Sequence, residues 1–165
     1  MHEKSIELLN RAVRDELTAV HQYMYFHIHL DDQGYDLLAS LFKRTAIQEM
    51  GHVEKLAERI LFLKGDVTMR PEVEVKPVKD VAAMLEMARG MEESSARDYN
   101  LWANESAANA DSVTKKIFES LVADEEGHFS NYDNELDKVK QYGDRYLALQ
   151  SIERSKSQLA GGAAE

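Results

Sequence analysis

Two short motifs in the sequence combine residue types that bind metal ions. Glu49 and His52 are three residues apart, and so are Glu125 and His128. A separation of three places both side chains on one helix face, where they can hold the same ion. One such motif would carry little weight, because 30 of the 165 residues are acidic and about one match is expected by chance. The motifs therefore need support from the rest of the sequence.

The spacing of two further glutamates supplies that support. Glu16 lies 33 residues before Glu49, and Glu92 lies 33 residues before Glu125. Every member of the first set therefore has a counterpart 76 positions later, which makes the two halves of the chain a quasi-repeat. The pattern predicts one dinuclear site built from four carboxylates and two imidazoles: Glu16, Glu49, His52, Glu92, Glu125 and His128.

Each of these six residues falls within an apolar helical stripe. Four buried glutamates would cost several kcal/mol per charge if nothing compensated them, and two divalent cations would compensate them. Carboxylates with imidazoles suit iron or manganese better than copper or a thiolate zinc site. The alternative is that the glutamates are solvated surface acids and that His52 and His128 are hydrogen-bonded core residues.

Helical spacing of apolar residues predicts four long helices that carry these ligands. The helices are predicted over about residues 4 to 31, 35 to 64, 80 to 108 and 112 to 143. Lys64 and Gly65 suit the end of the second helix, and Asp111 or Ser112 can cap the fourth. The fold class is therefore all-α, with a four-helix bundle.

The middle of the chain predicts a long crossover between the second and third helices. Residues 66 to 78 contain both prolines, Pro71 and Pro77, and alternate charged residues with valine, which favours an extended connection that traverses the bundle. The second and third helices would then run parallel. A short fifth helix is expected over about 144 to 153, so the bundle with this helix occupies 1 to 153, and 154 to 165 is expected to be a flexible tail.

Composition limits the functions that the chain can have. A length of 165 residues fits one domain, and the absence of cysteine excludes thiol chemistry and fits a reducing cytoplasm. No apolar stretch approaches the roughly 20 residues of a membrane span, so we expect a cytoplasmic protein with no membrane partner. The net charge of −10 disfavours nucleic acid and favours cationic substrates.

The sequence resembles the bacterioferritin family over nearly its whole length. The segments 19–23 (AVHQY), 58–63 (ERILFL) and 124–128 (DEEGH) are similar to that family's corresponding stretches, and two Glu-x-x-His motifs distinguish it from non-haem ferritins. The resemblance implies a ferritin-like bundle that assembles from two-fold dimers into a 24-subunit homo-oligomeric cage. It also implies a ferroxidase that oxidises Fe(II) with dioxygen or hydrogen peroxide and stores the ferric mineral, with a ferredoxin as a candidate electron donor for iron release.

The resemblance also assigns a role to each predicted ligand. It implies that Glu49 and Glu125 bridge two irons. The remaining ligands it implies are Glu16 and His52 on one iron, and Glu92 and His128 on the other. Bridging carboxylates hold two metals close enough for an oxidant to accept one electron from each.

Two further residues match functional positions of the family. Tyr23 matches a tyrosine proposed there as an electron donor near the irons, and its alternative role is that of a hydrogen-bonded core phenol. Met50 follows Glu49 by about 100° around the helix and matches the methionine that binds haem b. Two copies across a two-fold axis would supply both axial thioethers. The alternative for Met50 is an apolar filler at a dimer interface.

The sequence departs from the family at two positions. Some members have a histidine and an aspartate on the cavity side of the second helix, where this chain has Arg44 and Gln48. A cation and a neutral amide bind iron poorly, so we expect no accessory iron site on the inner surface. Ferric iron would then have to pass through the di-iron centre into the cavity.

Two other functions fit parts of the pattern. A rubrerythrin-like peroxidase or another di-iron oxidase would use the same ligands, although the chain lacks the cysteines of a rubredoxin module. It would form a small oligomer, whereas a storage cage has a mass of several hundred kilodaltons. A metal-free helical scaffold would be equally stable with and without metal, which the buried acids make an unfavourable interpretation.

Overall fold

The structure, a computed structural model, describes residues 2–161. Five helices and no β-strand occur in this part of the chain. The helices are α1 (Glu3–Asp32), α2 (Asp36–Phe62), α3 (Val81–Ala108), α4 (Ser112–Tyr142) and α5 (Asp144–Gly161). The predicted all-α fold is therefore confirmed, and none of the described helices is both long and apolar enough to span a bilayer.

The apolar stripes pack the four long helices as two antiparallel pairs, α1 with α2 and α3 with α4. Their buried side chains form two separate apolar clusters. One cluster contains Phe26 and Phe42, and the other contains Leu9 and Phe118. Burial of each such side chain contributes about 1.5–3 kcal/mol. The clusters occupy the two halves of the bundle and leave a polar layer between them.

The connection from α2 to α3 follows α1 along its length. Near its start, the Thr68 amide donates to Asn10 Oδ1 at 2.7 Å, and further along, the Lys76 amide donates to Gln22 Oε1 at 2.8 Å. These contacts satisfy backbone groups that have no helix or strand partner. Because the connection returns to the end of the bundle where α2 began, α2 and α3 run parallel, as the prolines and alternating charges predicted.

The second helix ends slightly earlier than predicted, and a different residue makes the turn at its end. It ends at Phe62 instead of residue 64, and Lys64, not Gly65, adopts a positive φ of 64°. Gly65 is needed for space, because a Cβ there would lie 2.7 Å from Ile6 Cγ2 and 3.0 Å from Ile60 Cγ2. The glycine is therefore explained by close packing against α1 and not by backbone conformation.

The fifth helix is longer than predicted. It continues to Gly161, so the predicted end at 153 was too early. A tertiary contact supports the first residue beyond the predicted end, because Arg154 Nη1 lies 3.2 Å from Asp36 Oδ1 at the start of α2. Gln150 is buried and accepts a hydrogen bond from the Leu38 amide at 3.3 Å. Residues 162–165 of the predicted tail lie outside the described residues.

Asp111 ties the start of α4 to α2. Its carboxylate accepts hydrogen bonds from the Thr114 amide at 3.1 Å, the Thr114 hydroxyl at 2.6 Å and Arg59 Nη2 at 2.7 Å. We expect D111A to lower the free energy of unfolding of the metal-free protein by about 3 kcal/mol, because the helix loses its cap and Arg59 loses its only anionic partner among the described residues. Urea unfolding measures this, and an unchanged midpoint would contradict it.

The same carboxylate gives the stability a defined pH dependence. Burial opposes ionisation of Asp111, but hydrogen bonds, chiefly from Thr114 and also from Arg59, lower its pKa to about 2. An unfolded aspartate has a pKa of about 3.9. The stabilisation is therefore complete above pH 4 and is lost as the pH falls toward 2. In D111A the free energy of unfolding should therefore change less with pH in this acidic range.

Candidate metal centre

The polar layer between the two apolar clusters contains all six predicted ligands. One comes from α1, two from α2, one from α3 and two from α4, and every one of them is buried: Glu16, Glu49, His52, Glu92, Glu125 and His128. Helical spacing explains this arrangement, because each ligand occupies a position of its helix that faces the bundle interior.

The six side chains form two overlapping groups of four. One group consists of Glu16, Glu49, His52 and Glu125, and the other of Glu49, Glu92, Glu125 and His128. Within each group, one ligand atom from every residue lies within 4.8 Å of the others. Glu49 and Glu125 belong to both groups. The geometry therefore suits two ions that share two carboxylates.

His52 turns one ring nitrogen toward the centre and the other toward the bundle surface. Its Nδ1 lies 2.7 Å from Glu49 Oε2, 3.2 Å from Glu125 Oε1 and 3.3 Å from Glu16 Oε1. Its Nε2 lies 3.3 Å from Oδ2 of Asp124, an exposed residue. Nδ1 is thus the nitrogen available to an ion, and Asp124 stands behind the ring.

His128 has the same arrangement in the other group. Its Nδ1 lies 3.0 Å from Glu49 Oε1, 3.2 Å from Glu125 Oε2 and 3.8 Å from Glu92 Oε2. Its Nε2 lies 3.1 Å from Oε1 of Gln48. The interaction of Gln48 with this ring was not predicted, although Gln48 is related to Asp124 by the same 76 positions as the ligands.

The four carboxyl groups differ in their affinity for protons. Burial, followed by the charge of Glu49, raises the pKa of both Glu16 and Glu92 well above the ordinary value, although neighbouring imidazoles oppose this. Burial also acts on Glu49 and Glu125, but the imidazoles of His128 and His52 outweigh it there. They lower the pKa of Glu49, and they lower that of Glu125 to about 2.

The same interactions raise the pKa of the two histidines. Burial disfavours their charged form, but the surrounding carboxylates outweigh it, raising the pKa of His128 to about 12 and that of His52 above its ordinary value. Protons on the imidazoles and on two of the carboxyls therefore compensate the buried charge when no cation does. Metal binding would displace these protons, so it should tighten as the pH rises.

Several buried atoms at the centre have no hydrogen-bond partner among the described residues. They are both carboxylate oxygens of Glu49, Oε1 of Glu125 and Nδ1 of His52. His52 Nδ1 is close to Glu49 Oε2, but the angle between them does not suit a hydrogen bond. Unsatisfied buried groups cost about 1–3 kcal/mol each. Divalent cations would satisfy these atoms, so the ligand set fits a dinuclear metal centre.

A pair of tyrosines holds the two outer carboxylates. Tyr23 Oη donates to Glu92 Oε1 at 2.5 Å, and Tyr99 Oη donates to Glu16 Oε1 at 2.6 Å. Burial and then the adjacent glutamate raise the pKa of both phenols, so both stay protonated as donors. Tyr99 was not predicted as a site residue. The signal was available, since Tyr99 follows Tyr23 by 76 positions.

We expect Y99F to destabilise the metal-free protein by about 1–2 kcal/mol, because it keeps the ring but leaves a buried Glu16 oxygen without its donor. Y23F should have a similar effect through Glu92. Y25F is the matched control, since Tyr25 is only partly buried and its hydroxyl makes no hydrogen bond within residues 2–161. Urea unfolding of the three variants measures the difference, and equal midpoints would contradict the role of the phenols.

Met50 lies outside the buried centre. Its side chain is 55% exposed although the neighbouring Glu49 is fully buried. Ile47, one helical turn earlier, is equally exposed, and a Cβ on Gly51 would meet nothing within 4 Å. Met50 and Ile47 therefore form an apolar strip on the outside of α2, away from the six ligands. Arg44 is exposed on the same helix.

Comparisons with known proteins agree with this architecture. A family model described as the ferritin-like domain matches residues 6–142. The bacterioferritin of Desulfovibrio desulfuricans is 38% identical over 145 residues, which cover 88% of this chain and 81% of that protein. The bacterioferritin of Rhodobacter capsulatus is 35% identical over 147 residues, which cover 88% of this chain and 91% of the relative.

Solved structures of the same two proteins have the same fold. The D. desulfuricans structure, which describes a diiron site in different catalytic states, matches with a TM-score of 0.88 and 37% identity, covering 90% of this chain and 86% of that one. The R. capsulatus structure, with a metal-free dinuclear site and a haem iron in a crystallographic special position, matches with a TM-score of 0.86 and 32% identity, covering 92% and 94%.

Proposed function

The chain belongs to the bacterioferritin family, and from this premise we propose that it stores iron by oxidising Fe(II) at a di-iron centre inside each subunit. The observation that carries the proposal is the overlap of two four-residue groups that share Glu49 and Glu125. Two shared carboxylates keep two Fe(II) ions close, so that each can give one electron to dioxygen or hydrogen peroxide.

The protein's own residues have distinct tasks in this proposal. Glu49 and Glu125 hold both ions, and they carry the carboxylate oxygens that lack partners among the described residues. The outer ligands are Glu16 and His52 on one ion, and Glu92 and His128 on the other. Tyr23 and Tyr99 fix the outer carboxylates through short hydrogen bonds. Tyr23 is in addition the phenol that we propose as an electron donor to the centre.

Haem binding is a second part of the proposal. The exposed strip of Met50 and Ile47 suits an interface in which a second copy of the chain supplies a second Met50. A haem b between the copies would then have a thioether on each face. The haem iron in the R. capsulatus structure lies in a special position, which is where a group shared by two symmetric subunits would lie.

We further propose a cytoplasmic cage of 24 subunits, with a ferredoxin donating electrons for iron release. Ferric iron would enter the cavity through the centre itself, because the inner-surface positions offer it no ligands. Arg44 is an exposed cation, and Gln48 is hydrogen-bonded to His128. This route requires that the oxidised ions leave the centre after each cycle.

An anaerobic Fe(II) titration of a size-fractionated sample, followed by exposure to oxygen, tests the proposal. We expect two Fe(II) per subunit, fast oxidation, and retention of further iron as mineral in a fraction of several hundred kilodaltons. A small oligomer that consumes peroxide without retaining iron would instead indicate a rubrerythrin-like oxidase. Binding of no iron would contradict both functions.

A further inference from the structure

The quasi-repeat extends beyond the ligands to the residues behind the two histidines. Gln48 directly precedes Glu49, and Asp124 directly precedes Glu125, so the two are separated by 76 positions. They also lie against equivalent ring nitrogens, although the contact of Gln48 is a hydrogen bond and the contact of Asp124 is an ion pair. Asp124 on α4 meets Nε2 of His52 on α2, and Gln48 on α2 meets Nε2 of His128 on α4, at 3.3 and 3.1 Å.

This pair is one point at which the two halves of the centre differ in chemistry, and it is the one that contacts the ligating imidazoles. Four other pairs have the same residue type in both halves: Glu16 with Glu92, Tyr23 with Tyr99, Glu49 with Glu125, and His52 with His128. Gln48 and Asp124 are both exposed and both place an oxygen against an imidazole. They differ in charge, because one is an amide and the other a carboxylate.

The charge behind a ligating imidazole affects its affinity for metal. A carboxylate at the second nitrogen orients the ring and makes the imidazole a stronger donor, and loss of such a partner typically costs 10–100-fold in metal affinity. An amide oxygen orients the ring without adding negative charge. Asp124 is half exposed, so solvent screens its charge, and we take the lower end of that range, about tenfold.

We propose that the two halves of the centre bind divalent cations in a fixed order, first the half with His52 and then the half with His128. The inference rests on the proposed di-iron function and adds to it the order in which the positions fill. A singly occupied centre should therefore accumulate at one metal equivalent. The ion beside His128 would be the last to arrive and the first to leave.

Anaerobic titration of the metal-free full-length protein with Co(II) tests the order. Calorimetry and the Co(II) absorption spectrum should show two steps per subunit with affinities about tenfold apart. Anomalous diffraction from crystals containing one Co(II) per subunit should show the ion between Glu16 and His52. Two identical steps, or a first ion beside His128, would overturn the inference.

Two isosteric substitutions separate charge from ring orientation. D124N should weaken the first step about tenfold, and Q48E should strengthen the second step about tenfold, so either change should merge the steps. The double variant should again show two steps, with the first ion now beside His128. E126Q is the matched control, because Glu126 is exposed next to Glu125 and has no ion pair among the described residues. It should leave both steps unchanged.

The outcomes distinguish this inference from the proposed function. If D124N weakens both steps equally, or if the double variant still fills the His52 half first, the order does not depend on this pair and the inference fails. If the wild-type protein does not bind two Co(II) per subunit at all, the dinuclear centre itself is contradicted. Circular dichroism and gel filtration verify that each variant keeps its helices and its assembly.

Discussion

Replacing Glu49 with alanine should abolish the fast phase of Fe(II) oxidation, slowing it by more than about 100-fold. Glu49 belongs to both groups of the centre, so its removal takes one ligand from each ion at once. The two ions would no longer be held together, and an oxidant could not take one electron from each. E125A should have the same effect for the same reason. Stopped-flow absorbance after rapid mixing with Fe(II) in air measures the phase.

Two further measurements show whether the loss of the fast phase comes from the metal centre itself. E54A removes a glutamate from the exposed side of the same helix, so it should oxidise iron at the wild-type rate. Gel filtration of E49A should show an intact assembly, because the two apolar clusters that hold the bundle together do not involve Glu49. A wild-type fast phase in E49A would exclude Glu49 as a bridging ligand.

The second large effect is expected at Met50. M50L keeps the apolar volume and removes the sulfur, so the assembled protein should lose all absorption of haem with two methionine ligands. The fast phase of Fe(II) oxidation should remain, because Met50 is on the exposed side of α2 and the ligands are inside the bundle. Iron release by an external reductant should slow, if haem in the proposed cage relays electrons from the reductant to the stored ferric mineral.

Another exposed methionine provides the control for haem binding. Met69, in the connection between α2 and α3, is 63% exposed, and M69L should leave the haem spectrum unchanged. Wild-type protein produced with ample haem should show the absorption from the start. If it does not, the haem assignment fails, while the di-iron centre is unaffected because it uses none of the same atoms.

The ligands could be predicted from sequence because helical geometry brings the two members of each Glu-x-x-His motif together and a repeat of 76 positions relates the two halves of the chain. Two residues three positions apart lie on the same face of a helix, whichever helix packs against it. The spacing of Glu49 and His52, and of Glu125 and His128, therefore predicted that each pair faces the bundle interior. Tyr99 was missed although the same repeat relates it to Tyr23, because a phenol on an inner face becomes functional only through its partner on another helix. Its contact with Glu16 depends on the pairing of α1 with α3.

The differences at the helix ends also arise from tertiary contacts. Local rules place a glycine where the backbone turns left-handed, but here Lys64 makes the turn and Gly65 avoids a clash with Ile6. The predicted end of α5 at 153 left out Arg154, which pairs with Asp36, a residue distant in sequence. Each case depends on a side chain from another helix, which a local pattern does not contain.

The path of the connection between α2 and α3 determines the symmetry of the whole centre. Because it returns along α1, the second hairpin repeats the first by a half-turn about an axis perpendicular to the bundle. This rotation places Tyr23 in one apolar cluster and Tyr99 in the other, so the phenols approach the ligand layer from opposite sides. A tight turn after α2 would have made α3 follow the direction of α1 and put both phenols on one side. The topology thus lets two similar helical hairpins, α1–α2 and α3–α4, enclose the metal site, with one tyrosine toward each end of the bundle.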